Sequence, residues 1–478
     1  MNVKALGIFL GLRPGMQQRI GVLFQYALAN APVIHRFVAD EAFVQMSLQP
    51  ALSTAFLADT PAEQQALWRD VCSTHFNGRF TTQNGWLLPA FFQNLLPEGV
   101  FRDHVAALRH CDPKDHFEML AACGKDLPGN VYALPVDLSR DELARYVTQD
   151  QDALEMSVTA EPLDEGVSLS GVQPKLGVML EGGRYVGRTK DQDTHIIAKL
   201  PVVGQPLLPE VEELSLRLAQ AAGVNTCEAG LQPLARLAVQ HGYDLGEEGA
   251  AGANFLAVLR YDRSPEGRIH CEDFAQVLSE MPEDKYGGAG RSTTPRTYQG
   301  VAAVLLAFDS MGEPAVHELL RRIVVNELLG NPDMHLKNMG LRYADGRAPQ
   351  FAPAYDIVAY AAYNGNRGHG LALLPPASVP RSMAAHSTGP RQSLSPAMLR
   401  AFCTGLGLPE KPAAAAIKRC AKAACERWPG MIEASALTAS QKSRLLQHFN
   451  AHPMVASLTR RVAALAAFKP PGAAPSSS

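Results

Sequence analysis

The sequence lacks the cysteine spacing and the long apolar runs that would place it outside the cytoplasm. Its eight cysteines include no C-x-x-C pair and no paired framework, which favours free thiols in a reducing compartment over a disulfide scaffold. No uncharged run reaches membrane length, and the short N-terminal apolar run at residues 5–12 is broken by Arg13-Pro-Gly. Neither a membrane span nor a signal peptide is therefore predicted, and the expected location is cytoplasmic, without a membrane partner.

An excess of charge of either sign is also missing. The formal net charge is −3, with 44 basic and 47 acidic residues. A protein that binds nucleic acid through its overall charge is usually strongly basic, so any contact with DNA is expected to be indirect. The 46% hydrophobic content is ordinary for a globular protein, and 478 residues exceed what one core usually holds. Two or three domains are expected.

The patterning along the chain predicts an α+β fold made of three units and a tail. Residues 1–137 combine two opening strands with helical pieces and form an N-terminal α/β module. An acidic, polar stretch at 137–160 marks a boundary. Residues 138–300 are predicted to form short strands around one amphipathic helix, and residues 301–468 are predicted to be almost entirely helical. The last residues, 469–478, have the composition of a disordered tail.

The most informative stretch is "GNPDMHLKN" at 330–338, which directly follows an apolar helical run. Asp333 and Asn338 have the D-x-x-x-x-N spacing of the protein-kinase catalytic loop, where the Asp orients the substrate hydroxyl and the Asn holds magnesium. The spacing alone is weak, because Asp as a cap and Asn as a turn former explain it more often than catalysis does.

Other residues follow the order of a kinase. Asp356 is a lone acid within the apolar and aromatic "FAPAYDIVAY", where a nearby cation would offset the cost of burying it. Together with Asn338 it offers the hard oxygen ligands that Mg²⁺ prefers. Lys199 ends an apolar strand and precedes a helix with Glu212 and Glu213, which suits a phosphate-binding lysine paired with a helix glutamate. A surface lysine is the alternative reading of Lys199.

Two further stretches suit the nucleotide. "SLSGVQPKL" at 168–176 has a single glycine, yet its backbone amides are suited to cradling phosphates. An ordinary turn is the competing interpretation. "FLAVLRYDR" at 255–263 resembles the strand that leads to the adenine between two lobes.

Together these stretches resemble HipA-type toxin serine/threonine kinases. The resemblance rests on Ser168-Leu-Ser-Gly-Val-Gln-Pro-Lys175, "THIIAKLP", "RYDR", "RIHCEDFAQVL", "GNPDMHLKN" and "YDIV", all in consistent order over about residues 1–375. The N-terminal "FFQNLLPEG" and "FEMLAACGKDLPG" fit the N-terminal domain of that family. The resemblance implies a bilobal kinase fold with a mixed α/β nucleotide lobe and an all-α C-terminal lobe.

The resemblance also implies roles for individual residues. Asp333 would be the catalytic base, with Lys337 at the γ-phosphate, and Asn338 and Asp356 would bind Mg²⁺. The ATP-binding residues would be Ser168, Ser170, Gly171, Val172, Gln173, Lys175, Lys199, Glu212, Leu259, Tyr261 and His335. Ser168 would be autophosphorylated, with Ser170 as the competing acceptor. Leu259 departs from the family, which commonly has a glutamate there.

Partners and alternatives follow from the same resemblance. A helix-turn-helix antitoxin similar to HipB, contact with DNA only through that antitoxin, and a protein substrate of the aminoacyl-tRNA synthetase class are expected. One alternative is a nucleotide-binding pseudokinase that acts as a co-repressor. Another is a hydrolase in which Asp333, His335 and Asp356 bind a transition metal. The N-terminal module is expected to supply partner or regulatory surface and no catalytic residue.

Overall fold

The computed structural model describes most of the chain. The described residues are 2–13, 15–27, 33–139, 141–143, 155–156, 161–163, 168–169, 173–188, 192–287, 294–363, 368–380 and 393–467. Three predicted phosphate-loop residues, Ser170, Gly171 and Val172, lie outside these ranges. The predicted tail at 469–478 and most of the acidic stretch at 137–160 also lie outside them.

The N-terminal module is built on an antiparallel sheet. Its first two strands, β1 (Asn2–Arg13) and β2 (Met16–Ala27), form the predicted strand pair, and the order of the sheet is β3-β2-β1-β6. The remaining elements are β3 (Ile34–Ala39), α1 (Glu41–Val44), α2 (Pro61–Arg69), β4 (Phe80–Thr81), β5 (Gly85–Trp86), α3 (Ala90–Gln93), α4 (Gly99–Arg109), α5 (His116–Cys123) and β6 (Val131–Pro135). Side chains alternate along β1, so Leu6, Ile8 and Leu10 face the helices and join the module's main core.

Contacts of this module reach beyond residue 137, where its end was predicted. A short strand, β7 (Glu155–Met156), pairs in parallel with the start of β1. Leu143 packs with Val3 and Phe24 in a small cluster separate from the main core. The chain therefore returns to the N-terminal sheet before it enters the next unit.

The second unit is a five-stranded antiparallel sheet with one long helix against it. Its order is β11-β12-β10-β8-β9. The elements are β8 (Lys175–Glu181), β9 (Arg184–Val186), β10 (Ile196–Lys199), α6 (Leu208–Ala221), β11 (Ala229–Pro233) and β12 (Asn254–Leu259). This arrangement matches the predicted strands around a single helix. It places Lys199 at the end of the central strand β10, beside α6.

The third unit is mainly helical, as expected, and also contains two small sheets. Its helices are α7 (Phe274–Val277), α8 (Tyr298–Leu306), α9 (Gly312–Leu329), α10 (Pro396–Gly405), α11 (Glu410–Glu433), α12 (Ala439–Ala451) and α13 (Pro453–Ala467). Two small sheets accompany these helices. One is the strand pair β13 (Arg263–Ser264) and β14 (Gly267–Arg268). The other has three strands, β15 (His270–Asp273), β16 (Gly340–Tyr343) and β17 (Gln350–Phe351). Strands β16 and β17 were not predicted, because runs of four and two residues carry too little periodicity.

Helix α9 is the rigid support of the predicted catalytic loop. Its apolar residues, including Leu328 and Leu329, are fully buried. The helix ends at Gly330, whose φ of 65° lies in the left-handed region that glycine adopts without strain. The amide of Asn331 donates to the Asn326 carbonyl at 2.8 Å, which closes the helix end. The polar loop therefore leaves the core at a defined point. Among the helices of the described residues, none combines the length and the apolar character needed to cross a membrane.

Candidate active site

A cleft lies between the five-stranded sheet and the helical unit. It encloses a cavity of about 140 Å³. The predicted site residues that line it are Ser168, Lys175, Lys199, Leu259, Tyr261, Lys337, Asn338 and Asp356. Asn94 and Pro128 of the N-terminal module line it as well. The structure thus brings residues from all three units to one cavity.

Lys199 forms the charged centre of one end of this cleft. It is 4% exposed, and its Nζ donates to Oε1 of Glu212 and to Oδ1 of Asp356. Glu212 is fully buried on α6, one turn from its start, while Glu213 pairs with Arg217 at the helix surface. Of the two glutamates considered from the sequence, Glu212 is the one in contact with the lysine.

Burial and pairing oppose each other in this cluster. Burial lowers the pKa of Lys199, but the carboxylates of Asp356 and Glu212 outweigh it and hold that pKa above its usual value. Burial raises the pKa of Glu212, and Lys199 offsets only part of this effect. The pKa of Asp356 is lowered, because Lys199 and Lys175 outweigh its burial. The buried lysine is therefore held in its charged form.

Asn338 and Asp356 are placed to serve as ligands of a hard cation. Both line the cavity, and Asp356 has a φ of 54°, a left-handed conformation that is unusual outside glycine and is tolerated by Asp. The Asn338 side-chain amide donates to the Asp333 carbonyl at 2.7 Å. This bond uses the side-chain nitrogen, so the side-chain oxygen points away from the Asp333 carbonyl. One carboxylate and one amide oxygen fit the donor set that Mg²⁺ takes from proteins.

Asp333 lies on the loop after α9, with its side chain 38% exposed. Its Oδ1 accepts a hydrogen bond of 2.6 Å from the Tyr286 hydroxyl, and His335 Nε2 lies 3.9 Å from the same oxygen. The rings of Tyr286 and His335 meet edge to face at 4.8 Å. Burial lowers the pKa of His335, although Asp333 acts in the opposite direction. Asp333 is thus an accessible carboxylate that accepts a hydrogen bond from a hydroxyl group.

Lys337 lines the same cavity and is held in part by the N-terminal module. Its Nζ donates to the Asn94 carbonyl and to Asn94 Oδ1, both at 3.1 Å, and to Asp273 Oδ2 at 2.8 Å. Glu98 Oε1 lies at 3.7 Å. Neither Asn94 nor Asp273 was selected from the sequence. Asn94 lies within "FFQNLLPEG", which carried the family resemblance but no assigned role.

The described part of the predicted phosphate loop packs against the N-terminal module. Ser168 is 1% exposed, its amide donates to the Asp126 carbonyl at 3.0 Å, and its hydroxyl donates to the Leu95 carbonyl. Gln173 lies outside the cavity lining and donates to the Leu200 carbonyl at 3.3 Å. Burial lowers the pKa of Lys175, which lines the cavity beside the Lys199 cluster.

The predicted adenine strand presents mainly its side chains to the cleft. The amide of Leu259 donates to the Glu228 carbonyl at 2.8 Å, so that amide is already used within the sheet. The Leu259 side chain is 44% exposed and lines the cavity. Tyr261 stacks on Tyr355 with ring centroids 5.6 Å apart. An apolar side chain and a tyrosine pair therefore form this wall.

The residues of "RYDR" form a buried ion-pair network to the N-terminal module. Asp126 pairs with Arg260 at 3.0 Å and with Arg263 at 2.7 Å, and both arginines also pair with Asp262 at 2.9 and 2.8 Å. Burial raises the pKa of Asp126, but the arginines outweigh it and bring that pKa to about 2. The partners are more than 130 residues apart in sequence, so their pairing was not predicted. The network ties the predicted adenine strand to the first module.

The residues of the hydrolase alternative do not gather around one point. Asp356 pairs with Lys199, whereas Asp333 faces Tyr286 and His335. Throughout the residues that the structure describes, no group of three or more His, Cys, Asp or Glu side chains is arranged to hold a metal ion. A transition-metal site of the predicted composition is therefore not supported.

Comparisons with known proteins show the family of the chain. The model of the HipA-like C-terminal domain matches residues 167–428, and the model of the HipA N-terminal domain matches residues 16–134. Two relatives from Sinorhizobium fredii, Y4dM and Y4mE, carry names that assign them provisionally to the kinases. They are 34% identical over 280 residues and 31% identical over 291 residues. The alignments cover 58% and 57% of this chain, and 63% and 64% of the relatives, which is less than two thirds of their length.

A solved structure shares the fold. It is the Shewanella oneidensis HipA in complex with HipB and operator DNA, with a TM-score of 0.62 and 19% sequence identity. The match covers 95% of this chain and 97% of that one. At this identity the likeness shows the architecture, and it confirms the bilobal fold with an N-terminal module.

Proposed function

The chain belongs to the HipA family, and from this premise we propose that it is an ATP- and Mg²⁺-dependent serine/threonine protein kinase that acts as a toxin of a toxin–antitoxin system. The observation that carries the proposal is that Lys199, Lys337, Asn338 and Asp356 line one cleft. Glu212 contacts Lys199 behind this lining, and the Asn338 side-chain amide donates to the Asp333 carbonyl. These are the parts that phosphoryl transfer requires, since catalysis of this reaction is mainly positioning and charge neutralisation.

Asp333 receives the proton in this scheme. The acceptor hydroxyl takes the place of the Tyr286 hydroxyl on Asp333 Oδ1, and its oxygen forms a bond to the γ-phosphorus. The bond from that phosphorus to the β–γ bridging oxygen breaks, ADP leaves, and the proton passes to the Asp333 carboxylate. Tyr286 therefore shows where a hydroxyl can donate to this base.

The Lys199 end holds the nucleotide. When ATP binds, the Lys199 ammonium group moves from Asp356 to the phosphate oxygens, while Glu212 keeps this ammonium group oriented. Asp356 and Asn338 are then available for the metal. Bound Mg²⁺ supplies neutralisation of the phosphate charge.

Ser168 is the proposed site of autophosphorylation. Its hydroxyl is buried and donates to the Leu95 carbonyl, so it reaches the γ-phosphate only after this contact opens. A phosphoserine carries about −1.5 to −2 charge. A dianion facing a backbone carbonyl is unfavourable, so the modified residue would stay out of its present place and leave the nucleotide site incomplete. This is the proposed self-inactivation.

The proposed partners follow from family membership. A helix-turn-helix antitoxin would bind the chain and contact the operator, as the Shewanella protein is found with HipB and operator DNA. The proposed substrate is a protein of the translation machinery, of the aminoacyl-tRNA synthetase class. The second candidate, a pseudokinase co-repressor, is less well supported, because the proposed metal ligands and Lys199 line one cleft and Asn338 bonds the carbonyl of the proposed base, Asp333.

Phosphopeptide mapping tests the proposal. The purified full chain is incubated with Mg²⁺-ATP, and the modified peptides are identified by mass spectrometry. Phosphate on Ser168 in the wild type, its loss in Asp333→Asn, and sustained activity of Ser168→Ala are the expected results. Phosphate on Ser170 alone would move the acceptor site, and absence of any transfer with ATP bound would favour the co-repressor.

A further inference from the structure

Asn94 joins the N-terminal module to the predicted catalytic loop. It follows α3 and is 4% exposed. Its backbone carbonyl and its Oδ1 both accept hydrogen bonds of 3.1 Å from Lys337 Nζ, across 243 residues of sequence. Both residues line the cleft. A side chain of the first module is therefore in direct contact with a residue of the loop.

The orientation of the Asn94 side chain is itself determined from both sides of the interface. Its Nδ2 donates to the Ala90 carbonyl at 2.9 Å within the module and to the Glu280 carbonyl at 2.7 Å in the helical unit. With both donor positions used, Oδ1 points to Lys337. Such a support fixes a residue more accurately than a loop alone can.

The acceptors around Lys337 hold its ammonium group from several sides, and only one of the hydrogen-bond acceptors is charged. The two Asn94 oxygens and Asp273 Oδ2 match the three donors of an ammonium. Two of these three acceptors are neutral. Glu98 lies further away at 3.7 Å and is shared with Lys285, which it contacts at 3.1 Å. An ammonium fixed in this way can still attract a phosphate at the cavity surface.

We propose that Asn94 is a positioning residue for phosphoryl transfer, and that it acts by holding Lys337 toward the γ-phosphate. This inference rests on the proposed function and deepens it. The N-terminal module is then part of the catalytic unit, whereas the sequence predicted that it supplies partner or regulatory surface alone.

Nucleotide binding tests the proposal without requiring turnover. Affinities for ADP and for AMP-PNP, both with Mg²⁺, are measured by calorimetry for wild type, Asn94→Ala and the control Asn77→Ala. Asn77 is a matched control, because its Nδ2 also donates to two carbonyls, those of Val71 and Ser73, away from the cleft. Asn94→Ala is expected to lower the preference for AMP-PNP over ADP by about fivefold or more, and Asn77→Ala to leave it unchanged.

Single-turnover transfer from ATP to the chain itself gives the second readout. Asn94→Ala is expected to slow transfer by roughly 10- to 100-fold, since a hydrogen bond to a charged group is lost. In a Lys337→Met background the same Asn94 change is expected to have little further effect, because the two residues act through one contact. Additive losses in this double-mutant cycle would overturn the proposal.

The outcomes separate this inference from the proposed function. If wild type transfers phosphate but Asn94→Ala behaves like Asn77→Ala in both measurements, the kinase assignment stands and the role of Asn94 is refuted. AMP-PNP binding without transfer refutes the kinase assignment, and the nucleotide preference still decides on Asn94. If Asn94→Ala does not fold, Asn94→Ser replaces it, because its hydroxyl can donate to the Ala90 carbonyl but is too short to reach Lys337. Unchanged nucleotide preference in Asn94→Ser would contradict the proposal.

Discussion

Two buried lysines in one cleft are held in different ways. Lys199 and Lys337 have side-chain exposures of 5% and 1%. Lys199 contacts two carboxylates, Glu212 and Asp356, both within the two kinase lobes. Lys337 donates hydrogen bonds to one carboxylate, Asp273, and to two oxygens of Asn94 from the N-terminal module, and a second carboxylate, Glu98, lies further away at 3.7 Å.

This difference divides the cleft by function. A lysine that contacts two carboxylates can give up one of these contacts for a phosphate, and the released carboxylate can then bind a metal. Such an arrangement suits the proposed nucleotide end. A lysine held mainly by neutral oxygens has less to release and stays in place, which suits the acceptor end. The lysine at the proposed nucleotide end is thus held from within the kinase lobes, and the lysine at the proposed acceptor end is held in part by the first module.

The largest effect is expected at the base of the acceptor end. Asp333→Asn should reduce phosphoryl transfer by about 10²- to 10⁴-fold, because the proton acceptor is lost. The affinity for Mg²⁺-ATP should change little, because Asp333 contacts a hydroxyl group and is not among the proposed phosphate or metal ligands. Single-turnover transfer and calorimetry on the same preparation check both parts. A loss of ATP affinity as large as the loss of transfer would remove the division between the two ends.

A smaller effect, of the opposite kind, is expected at the nucleotide end. Asp356→Asn should weaken Mg²⁺-ATP binding by roughly 10-fold or more, because a carboxylate ligand becomes a neutral amide. In EDTA the same variant should bind ATP about as well as wild type, since Lys199 is then freed from one acidic partner. Calorimetry with and without metal measures this. An equal loss under both conditions would show that Asp356 acts on the fold and not through a metal.

The contribution of the Lys199–Glu212 pair to stability can be measured by comparing two neighbouring glutamates, Glu212 and Glu213. Glu212→Gln should lower the free energy of unfolding by about 1–3 kcal/mol, because a buried charged hydrogen bond weakens. Glu213→Gln is the matched control on the same helix, where an exposed pair with Arg217 at 3.6 Å contributes little. Urea denaturation of both variants gives the comparison. Equal destabilisation would mean that Glu212 has no special role.

How much of this was predictable depends on sequence distance. Lys199 and Glu212 are 13 residues apart on a strand and the following helix, so their pairing followed from local pattern. The end of α9 and the loop after it followed from Gly330 and the polar residues behind an apolar run. The three strands that carry Lys199 and its neighbours were visible as short apolar runs.

Long-range contacts were beyond local pattern. Asp356 was predicted from its lone charge in an apolar stretch, but its contact with Lys199 joins residues 157 apart. Asn94 and Lys337 are 243 apart, and a buried asparagine carries no signal that names its partner. Asp126 and Arg260 are 134 apart for the same reason. Such pairs depend on how the units pack, which periodicity within each unit does not specify.

The smallest expected effect concerns the pH dependence of the interface that carries Asn94. Glu272, next to Asp273, is buried and accepts hydrogen bonds from Ser53 and Thr54 of the N-terminal module. Burial raises the pKa of Glu272 to about 7 despite these bonds. Because the folded pKa exceeds the unfolded one, the folded state binds the proton more tightly. Its contribution to stability is therefore full below the unfolded pKa and falls as pH rises toward 7.

Urea denaturation as a function of pH checks this contribution. Wild type should lose about 1–2 kcal/mol from this group between roughly pH 5.5 and 7. Glu272→Gln has no such titration and should show a correspondingly flatter profile over that range. Parallel profiles for the two proteins would contradict the raised pKa and leave the interface insensitive to this carboxyl group.

A structure of the full chain with Mg²⁺ and AMP-PNP tests the two-ended cleft most directly. The account predicts that Lys199 contacts the phosphates, that Asn338 and Asp356 face the metal, and that Lys337 keeps its bonds to Asn94 while its ammonium faces the γ-phosphate. A nucleotide bound away from Lys199, or Lys337 released from Asn94 and turned from the phosphates, would contradict it.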